Sequence, residues 1–214
     1  MDADAVEIRV LGCLLEKQRT TPDVYPLSLN ALRAACNQTT NRDPVVDYDE
    51  ATIRAALNRL SQRGWARLAS GAGSRAVKYR HLLDEALALG EPELAVLGVL
   101  MLRGPQTPGE LNGRTERLHR FGSLGEIDQA LEGLLERELV VRLPRRPGQK
   151  EERYQQLLGG AEQDTPAAEA DLRDTATTDV GARLRRLEDD VASLRQALAS
   201  LRAEIDRAVR PESS

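Results

Sequence analysis

Residues 49–81, DEATIRAALNRLSQRGWARLASGAGSRAVKYRH, decide the fold. Ile53, Ala56, Leu57 and Leu60 recur at i, i+3, i+4 and i+7, which places them on one stripe of an α-helix. Arg54, Asn58, Arg59 and Gln62 fall on the other side and give it a polar, basic face. Gly64 follows the last turn, where a left-handed stop suits glycine. Trp65 to Ser70 then reads as a short strand, broken by Gly71 and Gly73, and Arg75 to His81 reads as its return. A helix running straight into a hairpin with a basic second strand is the back half of a winged helix-turn-helix. The helix is then the element that enters a major groove.

The front half lies upstream. Val6, Val10, Leu11, Leu14 and Leu15 predict a core-facing helix over Ala3 to Lys17, ended by the polar run before Pro22. Ser28 is a good N-cap for a short helix, Leu29 to Cys36, with Leu29, Leu32 and Cys36 on one face. NQTTNRDPVVDY at 37–48 is too rich in Asn, Thr, Asp and Pro for a helix and predicts a long turn. Asp49 and Glu50 then sit at the positive end of the next helix.

The pattern starts again at Glu91. ELAVLGVLMLR at 93–103 lies over EIRVLGCLLEK at 7–17, and IDQALEGLLER at 127–137 over IRAALNRLSQR at 53–63. The offsets are 86 and 74 residues, so the first copy carries a 12-residue excess, the long turn. In the second copy Thr107 and Pro108 open the short helix, Leu139 to Leu143 is a strand, and Glu152 to Gln155 returns.

Beyond residue 158 the composition shifts. GGAEQDTPAAEADLRDTATTDVG at 159–181 has almost no large apolar residue and predicts a flexible acidic linker. Leu184, Leu187, Val191, Leu194, Leu198, Leu201 and Ile205 then alternate by three and four, a coiled-coil seam that predicts a homodimer. A parallel pairing sets Arg183 against Glu188 and Asp190 against Arg195. The alternative is one amphipathic helix docked on its own domain. The expected architecture is mainly α with small β-hairpins (α+β): winged helix-turn-helix domains at 1–82 and 83–158, the linker at 159–181 and a coiled-coil helix at 182–210.

Composition narrows function. The net charge is −4, yet Lys and Arg outnumber Asp and Glu 12 to 9 over residues 1–82, against 10 to 13 over 83–158 and 8 to 12 thereafter. Any phosphate neutralisation therefore belongs to the first copy. The candidate DNA contacts are Arg54, Asn58, Arg59 and Gln62 on the helix, Arg75 and Lys78 in the wing, and Asn41 and Arg42 in the long turn. Each has a plainer alternative: a solvated helix face, a Gly-rich β-turn, or a loop that spends its polar groups on its own backbone.

The equivalent helix of the second copy carries Glu126, Asp128, Glu132, Glu136 and Glu138, which phosphates repel. That copy therefore reads as a packing or protein-binding module, with Arg145, Arg146 and Lys150 as secondary wing contacts. Cys13 and Cys36 at apolar positions read as buried reduced thiols. With His81 and His119 far apart, no metal or cofactor is expected, and the absence of any nucleophile-base set or phosphate loop points away from an enzyme. No apolar run reaches the roughly 18 residues of a membrane span. MDADAVEIRV lacks the basic start and apolar core of a signal peptide, so the expected location is the cytoplasm.

Three motifs carry a resemblance. VLGCLLEKQRTTPDVYPLSLNALRAACNQTTNRDPV at 10–45, RGPQTPGEL at 103–111 and GQKEERY at 148–154 resemble the YceH-like family of bacterial proteins, which is functionally uncharacterised. The likeness spans about residues 5–158 and implies a tandem winged-helix fold and a transcription-regulating role, with no ligand, operator or activity attached.

Overall fold

In the computed structural model the first helix, α1 (Ala5–Thr20), is fixed at both ends by its own sequence. Asp4 Oδ1 accepts the Glu7 N–H at 2.8 Å, and Glu7 Oε2 accepts the Asp4 N–H at 3.0 Å. This reciprocal cap starts α1 two residues later than the apolar pattern alone predicts. At the other end the Thr20 and Thr21 hydroxyls donate to the Glu16 and Lys17 carbonyls, so the helix runs on to Thr20 and stops ahead of Pro22. The structure describes residues 3–69, 77–145 and 151–159.

A single-turn 3₁₀ segment at Pro22–Val24 leads to β1 (Leu27–Ser28) and α2 (Leu29–Cys36), which Ser28 caps as expected. Residues 37–49 form the long turn, and α3 (Glu50–Gln62) begins after its N-cap Asp49. Gly64, at φ 74°, closes α3 with Gly64 N–H to Ser61 O at 3.1 Å and Trp65 N–H to Leu60 O at 2.9 Å. Strands β2 (Ala66–Leu68) and β3 (Lys78–His81) form the antiparallel hairpin, shorter than the sequence pattern suggests. β1 adds a third strand that the sequence does not announce, with Leu27 opposite Tyr79 and Ser28 opposite Lys78.

The short α4 (Leu83–Ala86) leads to α5 (Glu91–Arg103), α6 (Pro108–Thr115), α7 (Leu124–Glu136), β4 (Val140–Leu143) and β5 (Arg153–Gln156). The element order of the first copy thus recurs. Even its third strand has a counterpart, an isolated bridge between Gln106 and Tyr154. The result is a mixture of helices and small antiparallel sheets, an α+β architecture.

The two copies share one apolar core. α1 packs against α5, with Leu11, Leu14, Leu97 and Leu100 almost wholly withdrawn from solvent. A Cβ added at Gly12 would lie 2.9 Å from Leu102 Cγ, so the glycine permits the close approach. Cys13 and Cys36 are buried free thiols in this core. No helix among the described residues is long and apolar enough to cross a membrane.

Candidate nucleic-acid interface

The apolar stripe of α3, Ile53, Ala56, Leu57 and Leu60, is buried and fixes which side faces outward. Arg54, Asn58 and Gln62 are exposed on that side, and among the described residues the ion pair of Arg54 is a long one, 3.9 Å to Glu50 one turn back. Such a pair at the surface contributes little and yields readily to another anion. Asp49 caps the Thr52 N–H at 2.7 Å, and its bonds to the Thr52 backbone and side chain hold its carboxyl below the usual range. The N-terminus of α3 is therefore negative.

Arg59 is turned another way. Its guanidinium hydrogen-bonds Asp4 and sits 3.4 Å from Glu7, while Arg63 lies 3.3 Å from the same Glu7 carboxylate and over the Trp65 ring. Glu7 is 1% exposed, so these arginines neutralise a buried carboxylate at the start of α1. The sequence pattern groups Arg59 with Arg54 and Asn58, whereas the packing of α1 draws it aside.

Arg42 is a correction. Expected as a contact from the long turn, its side chain has no exposure. It donates to Glu16 at 2.6 Å, to the Ala35 carbonyl and to Gln38. Burial pulls the Glu16 carboxyl up, but the Arg42 hydrogen bonds and charge outweigh that and hold it below its usual range. Arg42 therefore anchors the turn and is unavailable to DNA. Asn41 is exposed, but its side-chain oxygen accepts from Arg103. Asn37 exchanges hydrogen bonds of 2.9 Å with the Tyr48 backbone in both directions, closing the turn beneath α3. Asn37 is thus spent on the loop's own backbone, and Asn41 and Arg42 on Arg103 and Glu16 of neighbouring helices.

Lys78 is half-buried on β3. Arg75 and the hairpin tip at 70–76, Arg146, Lys150, and the predicted linker and coiled coil from residue 160 onward lie outside the described residues. Arg145 is exposed and 3.9 Å from Glu152.

In the second copy α7 presents Glu126, Asp128, Gln129, Glu132 and Glu136 to solvent. Arg137 turns away from this face and donates to the Leu87 and Ala88 carbonyls. The acidic face is thus left uncompensated by its own arginine.

The family model described as "Protein of unknown function, DUF480" matches residues 3–149, which takes in both copies. The chain belongs to this family. A UPF0502 protein of Pelobacter propionicus is 51% identical over 205 residues, spanning 94% of this chain and 93% of the relative. Others from Opitutus terrae and Serratia proteamaculans are 50% and 45% identical, spanning 89% and 94% of this chain and 82% and 95% of those relatives.

Two side chains of this DUF480 protein extend the basic surface beyond the expected set. Arg33 on α2 is exposed and close enough to Asp49 to lower its carboxyl, and Arg67 on β2 is exposed with no ion-pair partner among the described residues. Both were signalled: Arg33 lies outside the Leu32 and Cys36 stripe, and Arg67 alternates with buried Ala66. Among the described residues no group of three or more His, Cys, Asp and Glu side chains is placed to hold a metal.

Proposed function

We propose that each copy is a winged helix-turn-helix unit and that the protein is a non-enzymatic, DNA-binding transcriptional regulator of the cytoplasm. It reads double-stranded DNA through the first copy and dimerises through residues 182–210. The observation that supports this is the contrast between the outward faces of α3 and α7. Arg54, Asn58 and Gln62, with Arg33 and Arg67 nearby, suit phosphates and base edges, whereas carboxylates occupy the corresponding helix. In this reading Arg54, Asn58 and Gln62 contact the groove, and Arg33, Arg67 and Lys78 contact phosphates. Tethering two such modules raises effective concentration, which a single modestly basic surface needs.

The test is selection from a pool of random duplexes by the purified protein at two salt concentrations. An enriched motif, with two-fold symmetry if the protein dimerises, supports the reading. No retention, or unenriched retention that vanishes at higher salt, overturns it.

The acidic α7 face favours a second reading, a protein-interaction scaffold whose copies hold partner segments. Charge reversal at Glu132 and Glu136 then breaks a protein complex and leaves any DNA binding unchanged.

A further inference from the structure

The long turn of the first copy reaches the second and closes one side of a cleft there. Asp43 N–H donates to the Leu102 carbonyl at 2.8 Å, and Asn41 meets Arg103 at the end of α5. The cleft between this turn, the end of α1, α5 and α6 has a volume of about 220 Å³. Val99, Leu102 and Leu118 supply apolar wall, and Arg103, Arg114 and Arg117 supply charge.

Two carboxylates line the cleft against the three arginines: Glu16, held by Arg42 at 2.6 Å and Lys17 at 3.5 Å, and Glu116, in a solvent-exposed pair with Arg120 at 3.3 Å. Arg114 has only a partly exposed pair with Glu110 one turn away, and Arg117 has no ion-pair partner among the described residues. Positive charge therefore exceeds negative within the cleft. Burial, then the charges of Arg114 and Arg42, push the Arg103 guanidinium down from its ordinary value, with Glu16 and Asp43 acting against them. Arginine does not release its proton in a protein, so the partly desolvated guanidinium stays charged and available to a bound anion.

We infer that this cleft, formed jointly by the two copies, binds a small polyanion through Arg103, Arg114 and Arg117. Its volume lies below the roughly 300–1,000 Å³ typical of sites for drug-sized ligands, which fits a di- or tricarboxylate or a small phosphate ester. Guanidinium groups suit both, because their paired N–H donors match carboxylate and phosphate oxygens. An anion at Arg103 competes with Asn41 for the Nη2 donor that Asn41 now occupies. Asn41 belongs to the turn that leads into α3, so occupancy of the cleft bears directly on that turn. This inference does not depend on DNA binding.

The test is thermal unfolding and titration calorimetry of the full chain with citrate, pyrophosphate and inorganic phosphate, each against chloride at matched ionic strength. The expected result is a saturable rise in melting temperature with at least one of the three, at one site per chain. Two variants localise it. Arg117→Ala removes an exposed cation and should weaken binding about tenfold. Gly113→Met lies on the wall of the cleft, where an added Cβ meets nothing within 4 Å, and should block binding while the chain stays folded. No rise with any of the three anions overturns the assignment, and so does binding by both variants as tight as by the parent chain. Binding of duplex DNA at this cleft with none of the small anions overturns it too.

Discussion

Gly12 on α1 lies directly against Leu102 on α5, and its counterpart Gly98 lies less tightly against Leu15. A Cβ at Gly12 would fall 2.9 Å from Leu102 Cγ and Cδ2 and 3.0 Å from Met101 Cβ, whereas one at Gly98 would fall 3.7 Å from Leu15 Cβ. The glycines hold equivalent places in the repeat, yet only one is sterically required. Gly12→Ala should destabilise the protein by about 1–3 kcal/mol through overpacking. Gly98→Ala should be neutral or stabilise by up to about 1 kcal/mol, since alanine favours the helix and meets only ordinary contact distances. Urea unfolding of the two variants checks the sign of each.

Glu138 ends α7 as Gly64 ends α3. Its φ is 54°, with Glu138 N–H bonded to Leu135 O and Leu139 N–H to Leu134 O, each at 3.0 Å. A side chain in this left-handed region costs roughly 1 kcal/mol. Glu138→Gly should therefore raise stability by about that amount, and it also removes a negative charge beside the C-terminal end of the helix dipole. A differential scan that shows a lower melting temperature would contradict this account of the helix end.

His81 makes stability depend on pH. Its Nδ1 accepts the Leu83 N–H at 3.3 Å, so Nε2 carries the proton and donates to Gln18 Oε1 at 2.5 Å. Burial pushes its pKa down to about 4, with Arg80 and Arg19 acting in the same sense and Asp84 against it. The unfolded chain takes up a proton near the ordinary value of about 6.5, which the folded chain refuses until near 4. The contribution is therefore complete above about pH 6.5 and is lost as pH falls toward about 4, on the order of 3 kcal/mol in all. Unfolding free energies at about pH 7 and about pH 4.5 should differ less in His81→Gln than in the parent chain.

The arginines of the first copy should separate by role. On the DNA-binding reading, Arg54→Ala and Arg33→Ala each weaken binding and lower the salt slope by about one phosphate contact, with little change in melting temperature. Arg42→Ala instead leaves the part-buried Glu16 carboxylate with its longer pair to Lys17 and should cost about 3 kcal/mol of stability. Fluorescence anisotropy over a salt series, paired with thermal unfolding, reads both effects. An Arg42→Ala chain as stable as the parent would contradict the anchoring role.

Most helix positions, the Ser28 cap and the internal repeat were legible in the sequence because each rests on contacts within a few residues, whereas the Asp4 cap of α1 was not read. The Ile53, Ala56, Leu57 and Leu60 stripe, the Ser28 cap, the carboxylates Asp49 and Glu50 at the start of α3 and the Gly64 stop are signals of this local kind. So is the basic face of Arg54, Asn58 and Gln62, which follows from the stripe by elimination. Tertiary structure decided the rest, because the partners are far apart in the chain. β1 is too short to announce itself and exists through pairing with β3, about fifty residues on. Arg59 and Arg42 look like surface cations in sequence, but Asp4, Glu7 and Glu16 reach them only once α1 packs against α3 and the long turn. The two copies likewise meet in one core through α1 and α5, which brings Asn41 to Arg103 and forms the cleft. Periodicity records which side of a helix is dry, and only packing determines which buried charge a given arginine must neutralise.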